Sequence, residues 1–475
     1  MPAELIQIRY CPDSAQYFEA LSGLESSLWL DSAGALNMDG RYDILSAMPV
    51  RKLIKKGLCT SVLCIDDTGH NYVNGYVSSH DSGPSVYVLM RDMLQEFSGE
   101  TSSLLDHLPF YSGFCGYWGY DLSSQKPALS EDSLPDMQLG FYLWSLVVDH
   151  KEKTAVLAFS PSCSAVCRSA VKRCMLGFRE GFVTSRESHP EIKVKPFKIN
   201  TFKASLNVDY YHECIARIKR YILDGDCYQV NFAQRFDAMF SGDTIAAYLH
   251  LRKKLPSPYS AYIPIDQGAI ICLSPERLIK SNGSQVSTKP IKGTLARGST
   301  AEIDMVNADT LRASKKDRAE NLMIVDLLRN DLSRVCRYGS VKTEKLFELE
   351  SYANVHHLVS TITGIIDEDC DAIDLMSAVF PGGSITGAPK IRAMEIIEEL
   401  EVCARTTYCG SIGYIGVNGK MELNIAIRTL VAHRKTLHCW GGGGIVADSD
   451  ADMEYQESLD KVNILMRSLE DEFAC

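Results

Sequence analysis

The sequence of 475 residues lacks several features that would place it in a specialised class of proteins. No apolar run reaches the ~18 residues that a membrane-spanning helix needs. The first ten residues carry Glu4 and Arg9 in place of the apolar core of a signal peptide, so we expect a cytoplasmic protein. An excess of basic residues is also missing. The net charge of −11 argues against general binding to nucleic acids or anionic membranes.

The 16 cysteines are not arranged as metal ligands or as a disulfide framework. There is no Cys-x-x-Cys pair and no Cys/His cluster with zinc spacing, and a cysteine-rich disulfide scaffold would be a much shorter secreted chain. We therefore expect reduced and mostly buried thiols. Cys115, in Gly-Phe-Cys-Gly, faintly resembles the turn that presents a glutaminase nucleophile, but no recognisable His and Glu partner motif follows it.

The remaining composition, 45% hydrophobic and 23% charged, is that of an ordinary globular protein with ample residues for a core. The clearest change along the chain is a polar, proline-containing stretch at about 183–205, which predicts a linker or crossover. It separates an amino-terminal region, 1–182, from a carboxy-terminal region, 206–470. The first region alternates short apolar strands with turns, whereas the second mixes strands with amphipathic helices such as 211–223.

Lys292 is informative because of its setting, Lys-Pro-Ile-Lys-Gly-Thr. A lysine acts as a nucleophile or base only where burial or a neighbouring charge lowers its pKa. Strand alternation would place Lys292 and Thr294 on one face. An Asn-Gly pair predicts a hairpin between strands at 269–276 and 286–294, and this hairpin would bring Glu276 close to Lys292. A surface lysine on an edge strand is the alternative interpretation.

Two predicted helices carry carboxylates in patterned positions. Glu320 falls on the apolar face of a helix spanning 316–331, where a carboxylate is costly unless it meets a cation. Glu454, Glu457 and Lys461 follow one another at spacings of three and four in a carboxy-terminal helix, which places them on one stripe. Capping, or ordinary salt bridges on a solvated face, would explain both patterns without any catalytic role.

Two glycine-rich segments precede predicted helices. Residues 441–444 are four consecutive glycines before the carboxy-terminal helix, and 381–390 (Pro-Gly-Gly-Ser-Ile-Thr-Gly-Ala-Pro-Lys) leads into a helix at 391–400. Glycines before a helix start expose backbone N–H groups and allow a carboxylate or phosphate to approach closely. Neither segment has the spacing of a P-loop or a dinucleotide-binding motif. Arg428, at the end of a predicted strand, can hold a carboxylate through two hydrogen bonds.

Taken together, these segments occur in the order seen in chorismate-utilising enzymes. The chain resembles that family densely over most of 205–470 and more loosely before it, and within the family it resembles the component I group of aminodeoxychorismate synthases. The lysine in Pro-Ile-Lys-Gly-Thr separates it from the anthranilate synthase large subunit, which usually has alanine there. The resemblance implies an α+β fold of two large packed antiparallel β-sheets flanked by helices, with strands from both halves of the chain.

The resemblance also implies a reaction, the amination of chorismate at C4 to 4-amino-4-deoxychorismate for 4-aminobenzoate and folate synthesis. Ammonia would come from a separate glutamine amidotransferase subunit. Lys292 would attack C2 and form a covalent intermediate, and Glu276 would protonate the departing hydroxyl, which requires a raised pKa. His357 resembles the motif histidine that contacts the ring or its hydroxyl.

Further site residues follow from the same resemblance. Glu320, Glu454 and Glu457 look like ligands of Mg²⁺, an ion that prefers hard oxygen donors. The expected substrate-binding residues are Thr294, Thr386, Gly387, Tyr414, Arg428, Gly442, Gly443, Gly444 and Lys461. Ser32, Arg41 and Tyr42 resemble the region that forms a tryptophan pocket in related enzymes. The alternatives are an isochorismate or salicylate synthase, which activates water, an anthranilate synthase, and a non-catalytic amino-acid-binding subunit.

Overall fold

The computed structural model describes residues 1–34, 39–65, 71–78, 85–123, 134–178, 195–352 and 355–474. Within these ranges the helices are α1 (Ala15–Leu21), α2 (Val86–Glu96), α3 (Ala165–Cys174), α4 (Val208–Leu223), α5 (Thr244–Lys254), α6 (Ala301–Ala313), α7 (Lys315–Ser333), α8 (Ala372–Val379), α9 (Lys390–Leu400) and α10 (Ala451–Phe473). No helix of the described ranges is both long enough and apolar enough to cross a membrane.

The strands of the first half are β1 (Glu4–Ile8), β2 (Leu28–Asp31), β3 (Tyr42–Ser46), β4 (Arg51–Lys56), β5 (Cys59–Ile65), β6 (Asn71–Ser78), β7 (Gly113–Trp118), β8 (Met137–Tyr142), β9 (Trp144–Asp149) and β10 (Thr154–Phe159). Those of the second half are β11 (Lys198–Ile199), β12 (Lys203–Ala204), β13 (Gln229–Ser241), β14 (Tyr259–Ile265), β15 (Gly268–Ser274), β16 (Arg277–Asn282), β17 (Gln285–Lys289), β18 (Ile291–Ala296), β19 (Lys342–Ser351), β20 (Val355–Ile365), β21 (Gly387–Ala388), β22 (Ser411–Gly416), β23 (Lys420–Asn424), β24 (Thr429–His433) and β25 (Thr436–Ile445).

These strands form two large antiparallel sheets, as the family resemblance implies. The first sheet has the order β1-β10-β9-β3-β2-β14-β15-β24-β25-β13-β11, with β12 and β21 also paired to β13. The second has the order β18-β20-β17-β16-β23-β22-β7-β8-β4-β5-β6, with β19 also paired to β20. One apolar cluster contains side chains of β2, β14 and β15 from the first sheet and of β7 and β22 from the second. The two sheets therefore pack against each other.

Strands from both halves of the chain lie within each sheet. In the first sheet β2 pairs with β14, and in the second β7 pairs with β22. Of the predicted linker, 183–194 lies outside the described residues. The remainder, 195–205, contains β11 and β12, which pair with β13 and so form part of the first sheet. The division of the chain at this segment stays a prediction, although the shared sheets join the two regions closely.

The chain passes from one sheet to the other immediately before the predicted acid. The sequence predicts a single strand over 269–276, but β15 ends at Ser274 in the first sheet and β16 begins at Arg277 in the second. Glu276 lies in this connection. The predicted turn at Asn282 is confirmed, but the strands that it joins are β16 and β17, with Arg277 opposite Lys289, and the strand predicted over 286–294 is divided into β17 and β18. Glu276 is thus adjacent to the strand that leads into Lys292.

Candidate active site

Lys292 is tied to the carboxylate of α7 that the sequence placed on an apolar face. Its Nζ donates to Oε1 of Glu320 at 2.7 Å, and only 12% of the lysine side chain is exposed. Burial raises the pKa of Glu320, but the positive charges of Lys292, Lys461 and Lys316 outweigh burial and lower that pKa overall. The expectation that Glu320 must meet a cation is therefore confirmed. The alternative of a surface lysine on an edge strand is wrong about exposure, although β18 does lie at the end of the second sheet's strand order.

A β-bulge separates Lys292 from Thr294. The register of β18 against β20 shifts between Ile291 and Thr294, and Gly293 adopts a φ of +87° within this stretch. A side chain at Gly293 would also meet Asp317 at 2.9 Å. The simple alternation expected from the sequence is thus interrupted. Thr294 faces His357, whose Nδ1 lies 2.8 Å from the threonine Oγ1.

Glu276 is a buried carboxyl group with a raised pKa. Only 5% of the residue is exposed, and burial raises the pKa despite the opposing charges of Lys292 and Lys461. Its Oε1 accepts a hydrogen bond from Oγ of Ser384 at 3.0 Å and a long one from the backbone N of Ile291 at 3.5 Å. The direction of this shift is the one that a general acid requires.

His357 and Arg428 lie near each other and are both strongly desolvated. Burial, together with the charge of Arg428, lowers the pKa of His357 to about 3, so the imidazole is neutral at physiological pH. Burial also lowers the pKa of Arg428. In the part of the chain that the structure describes, no carboxylate forms an ion pair with this guanidinium. A half-buried arginine that has no ion-pair partner is a suitable partner for an anionic ligand.

The sequence suggested that the four glycines form a loop before a helix, but they do not. They belong to β25, where Gly442 lies opposite Ala233 and Gly444 opposite Asn231 of β13. On the other side, the pairing of β24 with β25 reaches only to Leu430 opposite Cys439. Beyond that point none of the described strands pairs with β25 on this side, so alternate N–H groups are available there. Close backbone approach by a ligand remains feasible, but from a strand edge.

Three glutamates surround the end of β25. A Cβ on Gly443 would lie 3.3 Å from Oε2 of Glu454 and 3.4 Å from Oε1 of Glu457, and one on Gly444 would lie 3.0 Å from Oε1 of Glu320. The glycines thus leave room beside three hard oxygen donors, a donor type that suits Mg²⁺. Within the described ranges, however, no group of three acidic, His or Cys side chains converges closely enough to hold an ion. The metal assignment stays a prediction.

Lys461 and Glu457 of α10 form an ion pair with each other in this region. Lys461 donates to the carbonyl oxygen of Gly442 at 2.9 Å and lies 2.7 Å from Oε1 of Glu457, at the half-exposed rim of the site. Glu454 is buried, its Oε1 accepts from Ser449 at 2.6 Å, and burial raises its pKa. The helix therefore presents one cation and one carboxylate at the rim and a second carboxylate below it.

Thr386 and Gly387 fix the position of the second glycine-rich turn. The hydroxyl of Thr386 donates to the carbonyl oxygen of Gly382 at 3.0 Å, and its own carbonyl accepts from the backbone N of Asn231 at 2.8 Å. Gly387 has a φ of +148°, and a Cβ there would lie 2.1 Å from the carbonyl oxygen of Gln229. Both residues hold the turn against β13, and their contact with substrate stays a prediction.

Tyr414 lies in the apolar layer between the two sheets. Its ring centroid is 5.2 Å from that of Phe110. It also lines a separate, partly open cavity of about 50 Å³, together with Tyr42 and Asp31. The structure therefore brings Tyr414 to this second cavity and not to the residues around Lys292.

The other residues of the predicted tryptophan pocket make structural contacts beside that cavity. Ser32 donates to Asp43 through its backbone N and its hydroxyl, at 2.7 and 2.6 Å. Arg41 forms an ion pair with Asp149 at 2.6 Å. Tyr42 alone of the three lines the cavity in the described part of the chain. Tryptophan binding stays a prediction.

Two residues that contact the site were not singled out from the sequence. Ser384 contacts Glu276 through its hydroxyl and accepts from Lys292 Nζ through its carbonyl oxygen at 3.2 Å. Gln229, 1% exposed, donates through Nε2 to Oε1 of Glu320 at 3.2 Å. A serine and a glutamine have no spacing signature of their own, although both stand in segments that carry the family resemblance.

Comparison with known proteins places this site in a family. Residues 77–467 match the chorismate binding enzymes. The chain is 41% identical to aminodeoxychorismate synthase component 1 of Escherichia coli K12 over 98% of each sequence. It is similar in structure to anthranilate synthase component I of Streptococcus pneumoniae, with a TM-score of 0.74, 28% identity, and coverage of 91% of this chain and 93% of the other.

A more distant structure shares the architecture. The menaquinone-specific isochorismate synthase of Escherichia coli matches with a TM-score of 0.71 over 98% of this chain and 94% of its own, at 17% identity, which supports the fold alone. The family match covers well over half of the sequence, and the curated relative is similar along its whole length. The chain therefore belongs to the chorismate binding enzyme family.

Proposed function

We propose that this chain aminates chorismate at C4, giving 4-amino-4-deoxychorismate for 4-aminobenzoate and folate synthesis. The observation that carries the proposal is the contact of Lys292 and Glu276 with the same residue, Ser384. A nucleophile and an acid held on one turn are within reach of one substrate. The whole-length similarity to aminodeoxychorismate synthase component 1 supports the same reaction.

The proposed chemistry exchanges a hydroxyl for an amino group in two allylic displacements. The neutral amine of Lys292 attacks C2, the ring double bond shifts, and the C4–O bond breaks. Glu276 gives its proton to the departing oxygen, which leaves as water. Ammonia then adds at C4, the double bond shifts back, and the bond between C2 and Lys292 breaks. The carboxylate of Glu276 takes up the proton that the added nitrogen releases, so the site returns to its starting state.

The ion pair of Lys292 with Glu320 sets a condition on this sequence. An ammonium group bound at 2.7 Å to a carboxylate has no free electron pair with which to attack carbon. Lys292 must therefore leave Glu320 and lose a proton before the first displacement. We propose that substrate binding brings about this release.

Substrate binding would use the unpaired cation and the carboxylates around β25. Arg428 would hold a carboxylate of chorismate, because its guanidinium is desolvated and forms no ion pair within the described residues. Glu320 and Glu457, with Glu454 as a further ligand or support, would hold Mg²⁺. When bound, this ion would neutralise the substrate's ring carboxylate and strengthen its attachment.

The nitrogen would arrive as ammonia from a separate glutamine amidotransferase subunit. Cys115, the cysteine in a glutaminase-like setting, lies within β7 with no exposed surface, and burial raises the pKa of its thiol. A buried protonated thiol cannot attack glutamine. The relatives' designation as component 1 also implies a second component.

The test is incubation with chorismate, Mg²⁺ and ammonium, followed by mass analysis of the product. We expect 4-amino-4-deoxychorismate with ammonium and none without it. Isochorismate or salicylate formed in the absence of ammonium would favour the water-using alternative, and anthranilate would favour the anthranilate synthase alternative.

Lys292→Ala tests the covalent route in the same assay. We expect a folded protein whose amination rate falls by several orders of magnitude, because the variant has no nucleophile. Lys280→Ala is the matched control, since Lys280 is 42% exposed and, among the described residues, pairs with Glu422 on the neighbouring strand and not with a residue of the proposed site. Near-wild-type amination by folded Lys292→Ala would exclude a lysine intermediate.

A further inference from the structure

The turn at 383–385 brings one residue into contact with both reactive groups of the proposed mechanism. Ser384 is 5% exposed and lies in the short 3₁₀ helix Gly383–Ile385. Its Oγ donates to Oε1 of Glu276 at 3.0 Å, whereas its carbonyl oxygen accepts from Nζ of Lys292 at 3.2 Å. The side chain therefore acts on the acid, and the backbone acts on the nucleophile.

The backbone of this turn is held in place independently of its serine hydroxyl. Arg405, 1% exposed and paired with Glu401 at 2.7 Å, donates through Nη1 to the carbonyl oxygen of Ile385 at 2.9 Å. On the other side, a Cβ on Gly383 would lie 2.6 Å from a methyl group of Leu327, so α7 packs directly against the turn. Ser384 thus projects its hydroxyl from a fixed position.

The two oxygens of Glu276 differ in their surroundings. Oε1 accepts from the Ser384 hydroxyl and, at 3.5 Å, from the backbone N of Ile291. Within the described residues no hydrogen-bond donor reaches Oε2. An oxygen that already accepts from two donors is the poorer place for an acid proton, because a protonated oxygen would turn its own hydrogen toward them. The proton of the neutral acid is therefore favoured on Oε2.

We propose that Ser384 is a positioning residue for the amination reaction, and this inference rests on the proposed function. The Ser384 hydroxyl fixes the carboxyl plane of Glu276 and directs the acid proton to Oε2. That oxygen then gives the proton to the leaving group. Ser384 does not itself exchange a proton with substrate. Without it, the carboxyl group can rotate and carry its proton on the oxygen that faces the turn.

The matched pair Ser384→Thr and Ser384→Val tests this role, since the two side chains have nearly the same shape and differ in the hydroxyl. In ammonium-dependent amination we expect Ser384→Val to lower kcat by about 10- to 100-fold, the range for a lost hydrogen bond to a charged group. The KM for chorismate should not change, because the hydrogen bonds of Ser384 to site residues in the described part of the chain go to the acid and the nucleophile. Ser384→Thr should restore kcat.

The dependence of kcat on pH is a second measurement, and it would not change if Ser384 only stabilised the fold. The charged and titratable groups around Glu276 are Lys292 of β18, Lys461 of α10 and Cys409, and none of them is changed in either variant. Removing a donor that stabilises the carboxylate should shift the Glu276 limb of the kcat profile to higher pH in Ser384→Val. Ser384→Thr should keep the wild-type limb.

The results of these assays separate a failure of the Ser384 inference from a failure of the proposed function. Equal kcat values and pH profiles for the Thr and Val variants would overturn the inference, as would a loss confined to the KM for chorismate. Ser384→Ala, which adds no bulk to the turn, should reproduce the Val result and serves if the larger side chains unfold the protein. Wild-type protein that forms no aminated product would instead refute the proposed function, a result that none of the Ser384 variants can imitate.

Discussion

Gly444→Ala is a steric test of the site, and the size of its effect on stability and kcat can be worked out from the structure. A Cβ at this position would lie 2.2 Å from Nε2 of Gln229 and 3.0 Å from Oε1 of Glu320. Non-bonded carbon contacts are comfortable at about 3.5 Å or more, so the glutamine amide must move by roughly 1 Å. Gln229 is 1% exposed and its backbone pairs with Ala388 of β21, which leaves the amide little space to move into.

Two effects should follow from this displacement. Overpacking of a buried site costs about 1–3 kcal/mol of unfolding free energy. The Gln229 amide also binds the same Glu320 oxygen that holds Lys292, so its shift disturbs the nucleophile. A misplacement of about 1 Å at reacting groups can cost on the order of 100-fold in rate. We expect a loss of that order in kcat.

The assays are urea unfolding and ammonium-dependent amination, with Gly443→Ala as the comparison. A Cβ on Gly443 would meet its nearest atoms at 3.3–3.5 Å, all of them at the ends of flexible side chains. Its loss of unfolding free energy should therefore be much smaller. Wild-type stability and kcat in Gly444→Ala, or equal losses of stability in the two variants, would refute the view that Gln229 and Glu320 are tightly held beside β25.

Three further predictions address charge and nitrogen supply. Glu276→Gln should abolish the acid step yet stabilise the fold at neutral and alkaline pH. Because the pKa of Glu276 is raised in the folded state, that state binds a proton that the unfolded state releases. The stability of the wild type therefore falls as the pH rises above the unfolded pKa of ~4.3, whereas that of the variant does not. A stability difference between variant and wild type that is the same at pH 5 and pH 8 would contradict this. Glu320→Gln and Glu457→Gln should each raise the Mg²⁺ concentration needed for half-maximal activity, whereas activity that survives exhaustive chelation would exclude the metal. Cys115→Ser should leave ammonium-dependent amination intact, and the purified chain should not use glutamine alone; robust glutamine-dependent activity would reveal an overlooked second site.

Local patterns in the sequence were sufficient for the helices and for the central ion pair. The apolar periodicity at 211–223 and 316–331 corresponds to α4 and α7, because an amphipathic helix repeats within a few residues. The need of Glu320 for a cation followed from the cost of burying a carboxylate, and Lys292 supplies that cation. Each of these inferences depends on neighbours in sequence or on one strong electrostatic penalty.

The sheet arrangement could not be predicted in the same way. The pairing of β2 with β14 joins residues more than 200 positions apart, and nothing in either strand specifies the other. The glycines at 441–444 carry no side chains and hence no periodicity, so a strand edge and a helix-entry loop looked alike. That Tyr414 packs in the apolar layer between the sheets could not be predicted either, because the face on which a strand residue lies depends on the sheet that covers it, and its contact with substrate stays a prediction.

The interleaving of early and late strands has a consequence for biosynthesis. β7 is buried at all six positions, yet one of its two neighbours, β22, follows it by about 300 residues. At typical translation rates of 5–20 residues per second, an apolar strand edge waits roughly 15–60 s for its partner. An unpaired apolar edge can instead bind another nascent chain. The yield of folded enzyme should therefore rise when chaperones that cover such edges are abundant.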